Sequence, residues 1–363
     1  MRTIQMVDLY HQYLTIKDDI DTAMQSVISS CAFINGPDVK LFSSELEQYL
    51  GTDALQIALM SLNLEPGDEV ITTPFTFIAT AEVIELLRLK PVFVDVDPET
   101  YLMDVDQVKN KITKKSRVIL PVHLFGQSVN MQDLLQIAVD NNLKIVEDNA
   151  QAIGAECHVG GLDRKTGTIG DIGCTSFFPS KNLGCFGDGG AIFTNKDDLA
   201  DKIRMIINHG SKKKHYHEQV GVNSRLDTLQ AAVLRLKLKK LDEYIHKRQL
   251  AASHYDFHLG KIKQIKIPKR LTWSSHVFHQ YTLIIDKNRN EFRAHLNDKN
   301  IPNMIYYPIP LHLQKAYEHL GHKIGDFPNS EYLSQKVLSL PMHTELDDEQ
   351  LSFITNSIKD FFE

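Results

Sequence analysis

Short strand-like runs alternate with helix-like runs through the first half of this 363-residue chain. Residues 69–72, 91–96 and 118–122 are short and apolar, as buried strands are, while residues 76–89 and 131–141 repeat apolar side chains at helical spacing. Strand–helix–strand alternation places consecutive strands side by side and parallel. The pattern therefore predicts an α/β fold with a mostly parallel sheet and helices on both faces.

The second half of the chain predicts a smaller domain. A helical pattern from 223 to about 259 leads away from the alternating region, and mixed elements follow it. The first ten or so residues look extended. The other predicted elements are helices at 16–30, 38–50, 289–299 and 347–362 and a strand at 280–285. We predict a large domain over 1–240 and a smaller C-terminal α+β domain over 241–363.

Charge and hydropathy argue against nucleic acid and membrane partners. The net charge is −6, and the lysine run at 212–214 is too short for a broad basic face. The N-terminus lacks the apolar core of a signal peptide, and no run of about 18 apolar residues predicts a membrane span. We expect a cytoplasmic protein.

The cysteines and histidines do not suggest a metal site. No two cysteines form a C-x-x-C pair, and the 16 histidines lack spacings such as H-x-x-E-H. We expect free thiols and no bound metal. The cysteines are Cys31, Cys157, Cys174 and Cys185.

One lysine lies in an otherwise neutral loop between two predicted strands. Residues 172–178 and 191–194 read as the strands, and Lys181 lies between them among aromatic, serine and glycine residues. Partial burial disfavours an ammonium, so this amine could act as a nucleophile. Covalent attachment of an aldehyde cofactor is the obvious use. An ordinary surface lysine is the alternative.

A second segment, 144–151 (KIVEDNAQ), reads as a buried parallel strand that ends in an acid. Ligands of open α/β sheets bind beyond the carboxyl ends of the strands, where Asp148 would lie. Its carboxylate could keep the ring nitrogen of pyridoxal phosphate protonated, and Gln151 could hydrogen-bond the phenolic oxygen of that cofactor. A helix N-cap role for Asp148 is compatible with this.

Five segments in order resemble the sugar aminotransferase branch of the fold-type I pyridoxal-phosphate enzymes, the DegT/DnrJ/EryC1/StrS family. They are 51–56 (GTDALQ), 73–80 (TPFTFIAT), 147–151 (EDNAQ), 176–181 (SFFPSK) and 221–227 (GVNSRLD). The resemblance covers nearly the whole chain. It implies the fold-type I aminotransferase fold, and pyridoxal 5'-phosphate with pyridoxamine 5'-phosphate as the intermediate form. It also implies a short strand before Gly51, for which the predicted helix 38–50 leaves no room.

The resemblance assigns Lys181 and Asp148 as catalytic residues. It implies that the residues contacting the cofactor are Gly51, Thr52, Phe77, Asp148, Gln151, Ser176, Lys181 and Asn223. Gly51 and Thr52, at a helix N-terminus suited to phosphate, could instead form a plain helix cap. Phe77 would stack on the pyridine ring of the cofactor. Phe77 could instead be an ordinary core residue, and Phe75 is the other candidate for the stacking ring. Asn223 would reach in from a neighbouring subunit, which implies a homodimer with shared sites.

The closest resemblance is to bacterial enzymes that aminate carbon 3 of UDP-2-acetamido-2-deoxy-3-keto-glucuronic acid for surface polysaccharide. Segments 177–181, 221–232 and 307–311 carry it. The implied partners are a keto nucleotide sugar and an amino acid donor, usually glutamate. Arg225 could pair with the sugar carboxylate or form a structural salt bridge. Tyr306 and Tyr307 could contact the sugar or the diphosphate.

Three other functions compete with this one. The chain could aminate a neutral 3-keto or 4-keto nucleotide hexose. It could remove a C–O bond from a keto sugar, although the relatives that do so replace the lysine with histidine. It could also be a non-catalytic, cofactor-binding regulator, but no DNA-binding domain accompanies the net charge of −6.

Overall fold

The computed structural model describes residues 1–46, 49–51 and 53–362. The α-helices are Leu9–Leu14 (α1), Lys17–Ser30 (α2), Pro37–Leu46 (α3), Ala54–Ser61 (α4), Ala79–Leu86 (α5), Val105–Lys111 (α6), Met131–Asp140 (α7), Asp197–Ile206 (α8), Thr228–Leu238 (α9), Leu241–Leu259 (α10), Arg289–Asp298 (α11), Pro328–Lys336 (α12) and Asp348–Phe362 (α13). Short 3₁₀ turns are Leu124–Gly126, Leu311–Leu313 and Lys315–Leu320.

The strands are Tyr49–Gly51 (β1), Glu69–Thr72 (β2), Lys90–Phe93 (β3), Ser116–Ile119 (β4), Lys144–Asp148 (β5), Glu156–Val159 (β6), Leu162–Lys165 (β7), Ile172–Ser176 (β8), Gly190–Phe193 (β9), Ser211–Lys213 (β10), Tyr216–His217 (β11), Ile265–Lys266 (β12), Tyr281–Ile285 (β13) and Val337–Leu340 (β14). A seven-stranded sheet has the order β1-β9-β8-β5-β4-β2-β3. Its pairings are parallel except for those that β9 makes with β8 and β1. The prediction of a mostly parallel α/β sheet is confirmed.

Neighbouring side chains of the central strands enter two different cores, because successive residues of a strand point to opposite faces. Ile71, Ile119 and Ile145 pack with α7 on one face of the sheet. Val70, Val118 and Val146 pack with α4 and α8 on the other. Helices thus cover both faces, which explains why these strands are apolar without alternation.

The predicted helix over 38–50 is wrong at its C-terminal end. α3 ends at Leu46, and β1 begins at Tyr49 and pairs antiparallel with β9 so that Gly51 lies opposite Gly190. Pairing with the free edge of the sheet decides the conformation of this apolar stretch. The strand that the sequence seemed to lack before Gly51 is therefore present.

Three further boundaries differ from the prediction. The N-terminal residues are not extended throughout, because α1 begins at Leu9. The helix predicted over 76–89 begins only at Ala79, after a bend, and ends at Leu86. The helical pattern from 223 to 259 is two helices, since α9 ends at Leu238 and α10 begins at Leu241. Apolar spacing continues across that break, so periodicity alone could not locate it.

A second, three-stranded antiparallel sheet, β12-β13-β14, lies in the C-terminal part. Its core combines side chains from α10, α11 and α13 with Ile4 from the N-terminus. The division at residue 240 stays a prediction. In the described part of the chain, no helix has the length and hydrophobicity needed to cross a bilayer.

Candidate active site

The parallel pairing of β5 and β8 brings the predicted chemistry to one edge of the sheet. Asp148 ends β5 opposite Cys174, Ser176 ends β8, and the loop between β8 and β9 carries Lys181. A cavity of about 890 Å³ opens there. Its lining includes Phe77, Asp148, Gln151, Ser176, Lys181, Tyr306 and Tyr307. Seven predicted residues are therefore brought together by one chain.

Lys181 combines a fixed backbone with a perturbed amine. Its backbone N–H donates to the Phe178 carbonyl at 2.8 Å, which closes a tight turn. Its side chain is enclosed on most sides but still reaches the cavity. Burial lowers the pKa of Lys181 to about 8, although the charge of Asp148 acts in the opposite direction. Lys181 is not an ordinary surface lysine, because its partly buried side chain lines the cavity.

The carboxyl group of Asp148 is buried and accepts two hydrogen bonds. The Thr80 hydroxyl donates to Oδ2 at 2.8 Å, and the Ala150 backbone N–H donates to Oδ1 at 3.1 Å. Burial raises the pKa of Asp148, while these donors and Lys181 favour the charged form. Residues 150–154 form turns and no helix follows Asp148, so the N-cap alternative does not apply.

Gln151 connects two walls of the cavity. Its Oε1 accepts from the Phe125 backbone N–H at 2.8 Å, and its Nε2 donates to the Tyr307 hydroxyl at 3.1 Å. One amide hydrogen of Gln151 is left for a ligand. Burial raises the pKa of Tyr307, so this phenol stays protonated and its hydroxyl hydrogen can be donated. The contact between Gln151 and the phenolic oxygen of the pyridoxal-phosphate cofactor stays a prediction.

Phe77 and Phe75 occupy different environments. Phe77 lines the cavity with 57% of its surface exposed, and its ring centroid lies 6.4 Å from that of Tyr307. Phe75 is completely buried behind Tyr307. Phe77 is therefore not an ordinary core residue, and of the two rings only Phe77 lines the cavity.

The structure describes some of the residues that are predicted to bind the cofactor phosphate. The Ser176 Oγ accepts from the Phe178 backbone N–H at 3.2 Å, which leaves its hydroxyl hydrogen for a ligand. Gly51 ends β1, α4 begins three residues later, and Asp53 between them lines the cavity. Thr52 lies outside the described residues.

Asn223 and Arg225 do not line the cavity of their own chain. Asn223 is exposed and pairs through its backbone with Asn208. The hydroxyl of Ser224, the residue between Asn223 and Arg225, accepts from the Asp53 backbone N–H at 3.1 Å. Arg225 is partly buried. Within 1–46, 49–51 and 53–362 it forms no ion pair, so the structural salt bridge has no partner there.

Sequence reasoning missed a buried, hydrogen-bonded histidine–glutamate pair beside Asp148. Glu147 and His123 are both fully buried, with His123 Nε2 2.9 Å from Glu147 Oε2. The His123 Nδ1 accepts from the Val129 backbone N–H at 3.2 Å, so Nε2 carries a hydrogen and donates to Glu147. Glu147 also accepts from the Gly167 backbone N–H at 2.8 Å. The signal that could have revealed this pair was an acidic residue, Glu147, inside an otherwise apolar strand.

His279 is a second residue that the sequence did not single out. It lines the cavity with only 5% of its surface exposed, and its Nδ1 has no hydrogen-bond partner among the described residues. Burial and the nearby charge of Lys181 hold the pKa of His279 well below its usual value. Nothing distinguished it from the other histidines in the sequence. The described residues contain no cluster of three metal-ligating side chains.

With this geometry in place, the chain was compared with known families. Residues 14–359 match the DegT/DnrJ/EryC1/StrS aminotransferase family. The chain belongs to this family. The predictions of the family and of an aminotransferase are confirmed.

Three relatives match over almost their whole length. The pleiotropic regulatory protein of Geobacillus stearothermophilus is 42% identical, over 99% of this chain and 98% of that protein. The UDP-2-acetamido-2-deoxy-3-oxo-D-glucuronate aminotransferase of Pseudomonas aeruginosa is 41% identical, over 97% and 98%. The UDP-N-acetyl-3-dehydro-alpha-D-glucosamine 3-aminotransferase of Acidithiobacillus ferrooxidans is 39% identical, over 98% and 97%.

Two solved structures share the fold closely. S. venezuelae DesV, in complex with a ketimine intermediate, superposes with a TM-score of 0.95 at 35% identity and covers 100% of this chain and 99% of its own. NtdA from Bacillus subtilis, with bound cofactor PMP, gives a TM-score of 0.85 at 31% identity and covers 95% of this chain and 81% of its own.

Proposed function

We propose that this enzyme moves an amino group from an amino acid, glutamate in the first instance, to carbon 3 of UDP-2-acetamido-2-deoxy-3-keto-glucuronic acid. The product would serve surface polysaccharide synthesis. The observation that carries the proposal is the single cavity that joins a lysine of lowered pKa to a buried carboxylate within an aminotransferase fold. The predicted pyridoxal-phosphate cofactor is confirmed by the homologous structure that holds PMP.

The residues of the cavity fit this cofactor. Asp148 would pair with the ring nitrogen, Phe77 would lie against the ring, and Ser176 would donate its hydroxyl hydrogen to the phosphate. Gly51 and Thr52 are proposed to bind the same phosphate. Bound pyridoxal phosphate supplies an electron sink for the bond cleaved at the donor's α-carbon. Asp148 would keep that sink cationic, since the Thr80 hydroxyl and the Ala150 N–H favour its charged form against the effect of burial on its pKa.

Lys181 is proposed to have two functions. It is the attachment point of the resting cofactor, because its amine is the one nucleophile of lowered pKa that reaches the cavity among the described residues. Once an amino acid has displaced it, the free amine can carry a proton away from the donor's α-carbon. The same amine returns a proton to carbon 3 of the sugar in the second half of the cycle. Ping-pong kinetics would follow.

The charges of the cavity support a homodimer with shared sites. Lys181 is the only lysine or arginine among the described lining residues, whereas the lining carboxylates are Asp53, Glu82, Asp148 and Asp188. A cofactor phosphate and a nucleotide diphosphate are both anionic, so one chain lacks the cations to bind them. Asn223 and Arg225, outside their own cavity, would be supplied by the second copy.

Exposed apolar side chains at the mouth of the cavity support the same conclusion. Phe77, Leu86 and Phe178 line the cavity, yet each exposes more than half of its surface. Apolar side chains grouped at a ligand site in this way usually meet another surface. A second copy of the chain would cover them and complete the site.

Arg225 is the feature that favours a uronic acid. A guanidinium without an ion-pair partner in the described part of the chain is suited to bind a carboxylate through two parallel hydrogen bonds. A neutral 3-keto sugar, named for the Acidithiobacillus relative, is the alternative substrate. Identities of 41% and 39% do not separate the two.

Product analysis tests the proposal. The enzyme, loaded with pyridoxal phosphate and glutamate, is incubated with the 3-keto uronic acid, a neutral 3-keto sugar and a 4-keto sugar, each linked to UDP or dTDP. The mass change from ketone to amine should be largest for the UDP-linked uronic acid. Greater turnover of a neutral sugar would replace this substrate with the alternative.

The same preparation tests the regulatory alternative, which the name of the Geobacillus relative raises. Glutamate should shift the absorbance of the bound cofactor and release 2-oxoglutarate. A cofactor band that ignores every amino donor would instead support a regulator.

A further inference from the structure

A second lysine with a lowered pKa lies behind the loop that carries Lys181. Lys237, in the last turn of α9, has only 2% of its surface exposed. Burial lowers the pKa of Lys237 to about 8. Among the described residues no carboxylate lies within ion-pair distance of it, whereas Lys239, the residue that follows α9, is exposed to water. An unpaired buried ammonium is costly, so its contacts must offset that cost.

Both contacts of Lys237 are made to the catalytic loop. Its Nζ donates to the Gly184 carbonyl at 2.8 Å and lies 4.9 Å from the centre of the Phe186 ring. A charged donor strengthens the first contact, and the face of an aromatic ring attracts a cation in the second. The ammonium is thus bound entirely by residues three and five positions beyond Lys181.

The loop between Lys181 and Gly184 cannot absorb a shift easily. The Lys181 backbone N–H donates to Phe178, and the Cys185 backbone N–H donates to Phe177 at 2.8 Å, so the loop is folded back on itself. A Cβ on Gly184 would collide with the Pro179 carbonyl, which shows how closely the two sides of the loop approach. Movement of Gly184 would therefore be transmitted to Lys181.

We propose that Lys237 is a positioning residue for Lys181, holding the catalytic loop against α9 through the Gly184 carbonyl and the Phe186 ring. The inference rests on the proposed role of Lys181. The Phe186 backbone N–H donates to Gln230 Oε1 at 2.8 Å, which fixes the same side of the loop from the same helix. α9 thus acts as the rigid support on which the loop is registered.

Lys237→Met tests this proposal, because methionine nearly preserves the length of the side chain and removes both the charge and the donor. Lys239→Met, at the exposed residue that follows α9, is the matched control. Hydrogen exchange of the cofactor-free proteins should accelerate in residues 178–190 by roughly tenfold or more in Lys237→Met, the size expected when a charge-assisted hydrogen bond is removed. Exchange in β13 should be unchanged, as should every region of the control.

A second readout reports on Lys181 itself. The pH midpoint of the cofactor's absorbance change should move in Lys237→Met and stay fixed in Lys239→Met, and the cofactor should dissociate faster. Uniformly faster exchange with an unchanged absorbance midpoint would overturn the proposal and make Lys237 a stability residue. If borohydride mapping of the unmutated enzyme places the cofactor elsewhere, the role of Lys181 fails while the exchange result still decides whether Lys237 holds the loop.

Labelling of the unmutated protein covers the case in which Lys237→Met does not fold. Reductive methylation followed by peptide mass analysis should modify Lys237 at least about tenfold more slowly than Lys239, because the buried amine is engaged by Gly184. Equal rates would overturn the proposal, since an amine in free contact with water cannot hold the loop.

Discussion

The inner end of the cavity and its rim are built in different ways. At the inner end, formed by Asp148, Gln151, Lys181 and Tyr307, Asp148 and Gln151 each have two hydrogen bonds to fixed neighbours. At the rim, formed by Phe77, Leu86, Phe178 and Asp188, apolar rings and a carboxylate face outward. One chain suffices to build the inner end, whereas the rim lacks the cations that its proposed ligands require.

The difference assigns separate tasks to the two regions. Buried and satisfied polar groups are fixed in geometry, so the inner end suits proton transfer at defined atoms. Exposed apolar groups and unpaired charge suit a surface that another chain completes. Substitutions at the inner end should therefore affect turnover on every substrate, and those at the completed rim should affect choice among substrates.

The largest effect is expected at Lys181. Lys181→Ala removes the proposed attachment point and proton carrier, so transamination of every sugar should fall to background. Borohydride reduction and peptide mapping of the unmutated enzyme should place the cofactor on Lys181. Lys239→Ala, at the exposed residue that follows α9, serves as the control and should keep full activity. A cofactor adduct on any other lysine would contradict the assignment.

Asp148→Asn compares the two regions directly when it is set beside Asp188→Asn. Asparagine keeps the shape of Asp148 but removes the charge that holds the cofactor ring cationic, so turnover should fall by orders of magnitude while cofactor still binds. The same change at the rim should alter turnover little. Steady-state kinetics with one saturating sugar measure both. Near-normal turnover of Asp148→Asn would remove the inner end from the chemistry.

Arg225→Lys should change substrate choice rather than turnover in general. Lysine cannot reproduce the two parallel hydrogen bonds of a guanidinium, and a charge-assisted hydrogen bond contributes about 1.5–3 kcal/mol. The preference for the uronic acid over a neutral 3-keto sugar should therefore fall roughly ten- to a hundredfold. Arg293→Lys, on the exposed surface of α11, is the control. An equal loss on both sugars would make Arg225 structural.

Mixed dimers give the smallest signal and test the shared site most directly. Lys181→Ala and Asn223→Ala are first shown to be inactive separately and to exchange subunits. In a hybrid dimer one site carries both defects and the other carries none, so about a quarter of the activity should return after random mixing. No recovery, once exchange is verified, would place Asn223 in the site of its own chain.

The inner end was predictable because its residues follow from strand direction. Asp148 and Ser176 end neighbouring parallel strands, and the position of each strand could be read from a short apolar run. Strand β2 matches the prediction residue for residue. These are local signals that the tertiary structure reinforces.

The features that the sequence did not predict depend on contacts between residues that are far apart in the chain. β1 exists because β9 offers an edge 140 residues away in sequence, and Phe77 reaches the cavity because α5 starts late. Lys237 and Gln230 hold a loop some fifty positions earlier, as in the contact between Lys237 and Gly184. No window along the sequence contains both partners, so neither periodicity nor motif could reveal them.

The reversal of direction at β9 has a consequence for how new substrate preferences could arise. Because β8 and β9 are antiparallel neighbours, the catalytic loop begins and ends on adjacent strands and does not lead into a crossover helix. The loop that carries Lys181 is thus held by one pair of adjacent strands and by α9, while Asn223, Arg225 and Tyr306 lie outside these elements. Under the proposed function, substitutions at these three positions could therefore change which sugar is accepted without altering the strands and the helix that position Lys181.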